Sequence, residues 1–323
     1  MKWTEALTQF KEANFLQSPE WGKVNTLVGH QVVVETGDEY YCQMIVKNAK
    51  RGRYLEIPGG PLLDWQKSEL VENVFRTIRQ VARSKKCVFI RMRPGLLSSP
   101  ENLALMRKLG AEPAPMHLHA EHTVILDLQK SEDELLKDMR RQTRYEVRRS
   151  AKLGLEVTWG NSEELFREFH AVQTETALRQ HFVPPDLKML LAEREAFGEN
   201  ARLYVAKTTE GQAVAYGLIL ISGQEAEYFE AASTELNHKL PGAYALQWQV
   251  IKDLKALSVA RYNLWGIAPP GVTHHRYAGV TVFKTGFGGD IVEFVPAQDL
   301  VLSRTKYLPN LVVEKIRKKV RHL

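Results

Sequence analysis

The apolar pattern changes period repeatedly along the chain, and the changes mark its elements. Residues 31–35 alternate as a strand does, Gly37-Asp38 is a turn signal, and residues 40–46 resume the strand. Residues 54–57 form a third strand, stopped by Pro58-Gly59-Gly60-Pro61. Over 69–85, Leu70, Val74, Phe75, Ile78, Val81 and Ala82 recur at the spacing of an amphipathic helix. Residues 87–92 read as a buried strand ended by Pro94, and 101–109 as a helix closed by Gly110. A strand over 122–128 follows. Ser131 and Glu134 then make a capping box that starts a helix predicted over 132–153, closed by Gly154.

After Gly154 the pattern begins again. It predicts a strand over 155–159, a helix from Ser162 to about 179, a break at Pro184-Pro185 and a helix over 186–197. A hairpin over 202–207 and 213–221 comes next, then a strand over 225–232, a helix over 242–257 and a strand over 261–265. Strand, turn, strand, strand, helix, strand therefore occurs twice, over 31–92 and 202–265, with little shared sequence. That order matches the core of the GNAT acyltransferase fold. The predicted class is α/β, more strictly α+β: tandem GNAT-like domains with mixed sheets flanked by helices. The expected domains are 1–150 and 151–299, with the 132–153 helix as the joint. A tail helix after Pro309, completing domain 1 over 300–323, is expected to pack on the first half.

Composition narrows the class. The chain has 323 residues, 44% hydrophobic and 25% charged, which is globular material long enough for two domains. It contains no apolar run of membrane-spanning length, and its charged N-terminus lacks the apolar core of a signal peptide. Cys42 and Cys87 sit in apolar runs and fit no disulfide framework or metal spacing, so a reducing, cytoplasmic setting is expected. The net charge of +6 is concentrated in residues 137–152 and 315–321. Such clusters suit RNA, phosphate groups or an anionic membrane face, and they are equally ordinary as solvated helix faces.

Residues 263–293 carry the densest signals. An apolar strand ends at Trp265-Gly266, a Pro269-Pro270-Gly271 loop and His274-His275 follow, and then comes Gly279-Val-Thr-Val-Phe-Lys-Thr-Gly-Phe-Gly-Gly289. Read as a loop, this last stretch places a lysine beside an aromatic, where an anion or a polar carbonyl could be held. YNLWGI followed by GVTVFKTGFGG resembles the C-terminal signature of the Fem family, the FemABX peptidyltransferases. The resemblance runs from about residue 15 to residue 299. It implies an aminoacyltransferase that moves an amino acid from aminoacyl-tRNA to the stem-peptide amine of a lipid-linked or nucleotide-linked peptidoglycan precursor, forming interpeptide bridges. No cofactor is implied, because the ester is already activated. The absence of a long heptad repeat implies an arm-less member, expected to be a monomer.

The resemblance assigns roles to particular residues. Lys284 would meet the terminal phosphate or ribose of the tRNA and the developing oxyanion, and Phe283 would wall the acceptor channel. Gly286, Phe287 and Gly288 complete that signature as substrate-binding candidates. Gln17, Trp21 and Lys23 stand near a family pattern whose lysine binds a diphosphate, though Lys23 follows the tryptophan by only two residues. Gly60 belongs to IPGGPLLD, where glycines expose amides to a ligand or simply make a tight turn. Strand alternation puts Tyr228, Glu230 and Ala232 on one face. A carboxylate there, its pKa raised by partial burial, could take the proton of the attacking amine, so Glu230 is the candidate base. Arg140, Arg144 and Arg148, four apart, are the candidate tRNA or phosphate contacts. An arginine that some relatives carry after the helix ending near residue 179 is missing from the 180–185 segment. His238 with His274 and His275 makes no metal site.

Two other functions use the same features. An acetyl-CoA-dependent N-acetyltransferase would share the fold, but Pro241 removes an amide from the turn that would cradle a pyrophosphate. A non-catalytic RNA-binding module would use the basic helix and leave the FKTGFGG stretch unexplained. The tail has an apolar stripe flanked by Lys315, Arg317, Lys318, Lys319 and Arg321, which suggests peripheral contact with the inner membrane face.

Overall fold

The computed structural model describes residues 1–180, 186–272 and 277–320. Its first elements are α1 (Trp3–Gln9), α2 (Pro19–Leu27), β1 (Gln31–Thr36), β2 (Tyr40–Ala49), β3 (Gly52–Gly59), β4 (Leu62–Leu63), α3 (Ser68–Ser84), β5 (Phe89–Pro94), α4 (Pro100–Lys108) and β6 (Glu112–Pro113). Then come β7 (His122–Asp127), α5 (Glu132–Asp138), α6 (Arg141–Lys152), β8 (Glu156–Gly160), α7 (Glu163–Gln180), α8 (Leu187–Phe197), β9 (Ala201–Lys207), β10 (Ala213–Ser222), β11 (Glu225–Ser233), α9 (Gly242–Ala256), β12 (Arg261–Gly266), α10 (Ala278–Thr285) and β13 (Asp290–Glu293). The chain closes with β14 (Gln298–Val301) and α11 (Arg304–Val320). These form two compact units, Met1–His122 with Val292–Leu323, and Thr123–Ile291.

In the first unit the alternating runs pair as a meander. β1–β2 and β2–β3 are antiparallel, α3 crosses over, and β5 returns parallel to β3. The crossover holds because α3 lays Val71, Val74, Phe75, Ile78 and Ala82 on the sheet. Burial of each of the larger apolar side chains contributes about 1.5–3 kcal/mol. β14 adds antiparallel to β5 and brings Asp299 to Arg91, which clasps it through two hydrogen bonds of 2.8 and 2.7 Å. From α11, Glu314 takes the other edge of the same guanidinium and Tyr307 donates to Asp299, so the last helix is tied to this unit. That helix starts at Arg304 and carries Pro309 inside it, so it begins earlier than the sequence predicts.

The second unit repeats the order. β9, β10 and β11 are antiparallel neighbours, α9 crosses, and β12 returns parallel to β11. One face carries Tyr204, Ile219, Ala226, Tyr228 and Tyr262, packed with Leu246, Val250 and Leu254 of α9. The other face meets α7, where Phe169 lies 5.9 Å from Tyr216.

Two expectations change. The 132–153 helix is two helices, broken where Met139 turns extended. The break lets Met139 enter the core and the Arg140 amide donate to the Gly286 carbonyl at 2.9 Å. Both helices belong to the second unit, so they are no joint, and the units divide at His122/Thr123 rather than at 150.

Candidate active site

β11 and β12 pair over three rungs only, ending at Glu227 opposite Asn263. Each strand is irregular just past that rung. In β11, Leu218 and Ile219 of β10 face Glu230 and Tyr228, leaving Phe229 as an extra residue. In β12, pairing with β7 jumps from Asn263 to Gly266, and Trp265 sits at φ 62°, a costly conformation for a bulky side chain. Irregularities at the same level end the pairing and turn side chains out of strict alternation, which opens a wedge between the strands. Phe229 and Trp265 face each other there with ring centroids 6.0 Å apart. Asn263 Oδ1 accepts the Trp265 amide at 2.9 Å and so holds the strained residue in place.

Lys284 arrives from α10. The stretch read as a loop is a helix as far as Thr285, and Phe283 and Phe287, four apart, anchor it. Phe287 is core, 1% exposed, and Phe283 lies edge-on to Tyr244 at 5.1 Å and Phe287 at 5.2 Å. The two therefore set the helix, and Phe287 has no surface to offer a substrate. The glycines serve the chain's own backbone. A side chain at Gly288 (φ 85°) would meet the Asp138 carbonyl oxygen at 2.9 Å, and the Gly286 carbonyl accepts from Arg140. Lys284 is only 7% exposed. Its Nζ donates to the Gly266 carbonyl at 2.9 Å and lies 5.6 Å from the centre of the Tyr228 ring. Among the described residues no carboxylate pairs with it, and burial draws its pKa down to about 7. A buried, uncompensated cation facing a wedge favours the arrival of an anion.

Glu230 is not on that face. The extra Phe229 turns it to the α7/α8 side, away from Tyr228, where Gln173 Nε2 of α7 donates to its Oε2 at 2.7 Å. Glu193 of α8 lies beside it and is 1% exposed. Burial pushes both carboxyls up, Glu230 to about 7 against the pull of the Gln173 hydrogen bond, and the Glu230 charge raises Glu193 further. Glu193 and Gln173 were legible in principle. Each stands in an apolar row at helical spacing, Leu190–Glu193–Phe197 and Phe166–Phe169–Gln173, where a polar residue is out of place.

Other candidates take structural roles. Trp21 is buried with its ring 5.3 Å from Phe15, so it packs the first unit. Gly60 has Gln17 against it. That side chain bonds Pro58 at 2.7 Å and Gln43 at 2.8 and 3.1 Å, which explains the glycine without a ligand. Lys23 is exposed on α2. Arg144 spends its Nη1 on the carbonyls of Leu136, Lys137 and Met139 at 3.0, 3.2 and 3.1 Å, closing the end of α5. Arg140 donates to the Val282 carbonyl at 2.7 Å, while Arg148 is exposed. Asn237 takes the Ala243 amide at 3.0 Å, so the α9 N-terminus beside Pro241 is already capped. His274, His275 and residues 181–185 lie outside the described residues.

A model of the FemAB family matches residues 3–112, 114–210 and 204–315. Two proteins named Aminoacyltransferase FemA, from Staphylococcus aureus strains bovine RF122 / ET3-1 and MRSA252, are 19% and 20% identical to this chain, over 83% of it and 84% of theirs. A crystal structure of FemX superposes with a TM-score of 0.85 at 16% identity, over 97% of this chain and 98% of FemX. L-PGS from Bacillus licheniformis matches with a TM-score of 0.63 at 15% identity, over 97% of this chain and 95% of that one. At such identities the two structures speak for the fold, which is the tandem GNAT-like arrangement. The chain belongs to the FemAB family and is an acyltransferase.

Proposed function

We propose that the chain moves an amino acid from aminoacyl-tRNA to an amine on the stem peptide of a peptidoglycan precursor. The observation that carries this reading is Lys284, buried beside the wedge with no acidic partner among the described residues. The amine nitrogen attacks the ester carbon, the C–N bond forms, and the carbonyl oxygen takes up negative charge. The Lys284 ammonium stabilises that charge where water is excluded. The ester C–O bond then breaks, and the proton that the bonded nitrogen gives up passes to the departing ribose oxygen. The attacking amine must first lose its own proton, and Glu230, with a pKa near 7, is suited to accept it. The test offers charged tRNA and acetyl-CoA together with the precursor and identifies the acyl group on the product. An aminoacyl product supports the reading, and an acetyl product replaces it.

The tRNA contact we assign differs from the one read in sequence. Arg141, Tyr145 and Arg148 share one face of α6 by helical spacing, all exposed, with the Tyr145 ring 57% exposed. Cations beside an open aromatic suit a phosphate backbone and a stacked base. Reversing Arg141 and Arg148 to glutamate is expected to weaken tRNA binding and reduce its salt slope by about 1–2. Arg144→Ala is expected instead to cost about 1–3 kcal/mol of stability by stranding carbonyls. Urea unfolding and filter binding at several salt concentrations separate the two, and an unchanged salt slope in the double reversal would refute this contact.

The acceptor we favour is lipid-linked. α11 leaves Leu308, Val312 and Ile316 at 50, 53 and 58% exposure in one row, with Lys315 and Arg317 exposed beside it. The row lies opposite Tyr307, Asn310 and Glu314, which face the first unit, so only part of the stripe packs there. No helix among the described residues is long and apolar enough to cross a membrane. An apolar row flanked by cations suits the surface of an anionic bilayer, at about 1 kcal/mol per cation. Sedimentation is expected with anionic vesicles at low salt, and not with neutral ones. Equal, negligible binding to both would leave a nucleotide-linked acceptor.

A further inference from the structure

Glu230 Oε2 accepts from Gln173 Nε2, and among the described residues this is the pocket's one internal bond. With the carboxyls ionised, what remains can only accept. Gln173 is 3% exposed and Glu193 1% exposed, and among the described residues Gln173 Oε1 and Glu193 Oε2 have no partner. Glu230 is half-buried and opens the group to the surface. Among the described residues neither carboxyl has a basic partner. Arg194, next to Glu193 in α8, is turned away to Asn161 and Glu163.

A buried acceptor without a donor costs about 1–3 kcal/mol. Protons kept on Glu193 and Glu230 can serve these two oxygens, but once the carboxyls ionise both oxygens lack a donor. A hydroxyl supplies one donor, and a guanidinium supplies five in a rigid plane. An ammonium supplies three, arranged around one point, with no acceptor to repel the carboxyls. The pocket also lies beyond the last β11–β12 rung, on the opposite side of the sheet from Lys284.

We propose that Gln173, Glu193 and Glu230 form a binding site for a primary ammonium group, which positions the acceptor's amine. The assignment rests on the transfer reading above and names the residues that would select an amine acceptor. The bound nitrogen hangs between the two carboxyls and the Gln173 carbonyl. Its N–H bond breaks as an O–H bond forms on Glu230, which leaves the nitrogen lone pair free. Glu193 and Gln173 hold the nitrogen in place.

The test uses the full chain labelled with ¹³C at glutamate side-chain carboxyls, titrated with n-butylammonium and separately with n-pentanol. Glu193→Gln and Glu230→Gln identify the two signals; both substitutions keep the shape and remove a buried charge, so folding is retained. Butylammonium is expected to shift both signals saturably and pentanol neither. No shift from butylammonium, or an equal one from pentanol, overturns the site. In the transfer reaction Glu193→Gln is expected to raise the acceptor KM about tenfold with a smaller change in kcat, as for a lost charge-assisted hydrogen bond. Unchanged KM with an active enzyme removes the site and leaves the transfer reading standing. Butylammonium binding without transfer from charged tRNA does the reverse.

Discussion

Lys284→Met is expected to lower turnover about 10²-fold or more and, at neutral pH, to make the protein more stable. The first effect is the loss of a cation aimed at charge that exists only in the transition state. The second follows from linkage. Burial draws the lysine from 10.5 to about 7. The unfolded chain therefore binds the proton more readily than the folded one, and stability declines as pH falls from about 10.5 toward 7, with the full cost present below that. Each pKa unit corresponds to about 1.4 kcal/mol. After allowing for the lost bond to Gly266, a net gain of about 2–4 kcal/mol is expected at pH 6, vanishing above pH 10. Urea unfolding across this range and steady-state transfer measure both. Wild-type turnover in the variant would remove Lys284 from the mechanism, and a pH-independent stability difference would show that it is not buried as a charge.

Glu230→Gln carries the second large effect. Loss of a positioned base typically costs about 10²–10⁴ in rate. In the wild type, kcat/KM is expected to rise as the Glu230–Glu193 pair gives up its proton and to fall as Lys284 gives up its own, both around pH 7, and the variant is expected to lose the rising limb. The stability sign is opposite to the usual carboxylate. A raised pKa means the folded state keeps the proton longer, so this contribution is complete below about pH 4.5 and is lost as pH rises through 7. Glu230→Gln is expected to flatten that decline, with Glu193 and Gln173 still in place. A variant with wild-type turnover and an unaltered pH limb would mean that the amine loses its proton elsewhere.

The repeated architecture was legible because period-two and period-3.6 patterns are local. The copies over 31–92 and 202–265 reappear as two sheets of the same order. The site was legible only in part, because its geometry depends on breaks in those periods. Phe229 is an extra residue that no alternation rule announces, and it separates Glu230 from Tyr228. The glycines around Phe287 argued for a loop, whereas tertiary contacts with Asp138, Ile125 and Arg140 require them, and α10 runs to their edge. The break at Met139 has no proline or glycine to mark it; core packing and the bond to Gly286 make it. Arg144 looked like a phosphate contact because its use, capping carbonyls of the preceding helix, is visible only in three dimensions.

The central claim is that a buried lysine without an acidic partner among the described residues receives the anionic end of the donor. Its most direct measurement is an NMR titration of Lys284, assigned with Lys284→Met, in the free protein and with a phosphorylated aminoacyl-CCA trinucleotide carrying a stable amide in place of the ester. The account predicts that Lys284 titrates near 7 alone and that the trinucleotide raises it by about a unit or more, because an anion favours the charged form. A lysine titrating near its ordinary value, or one the trinucleotide does not move, would contradict it.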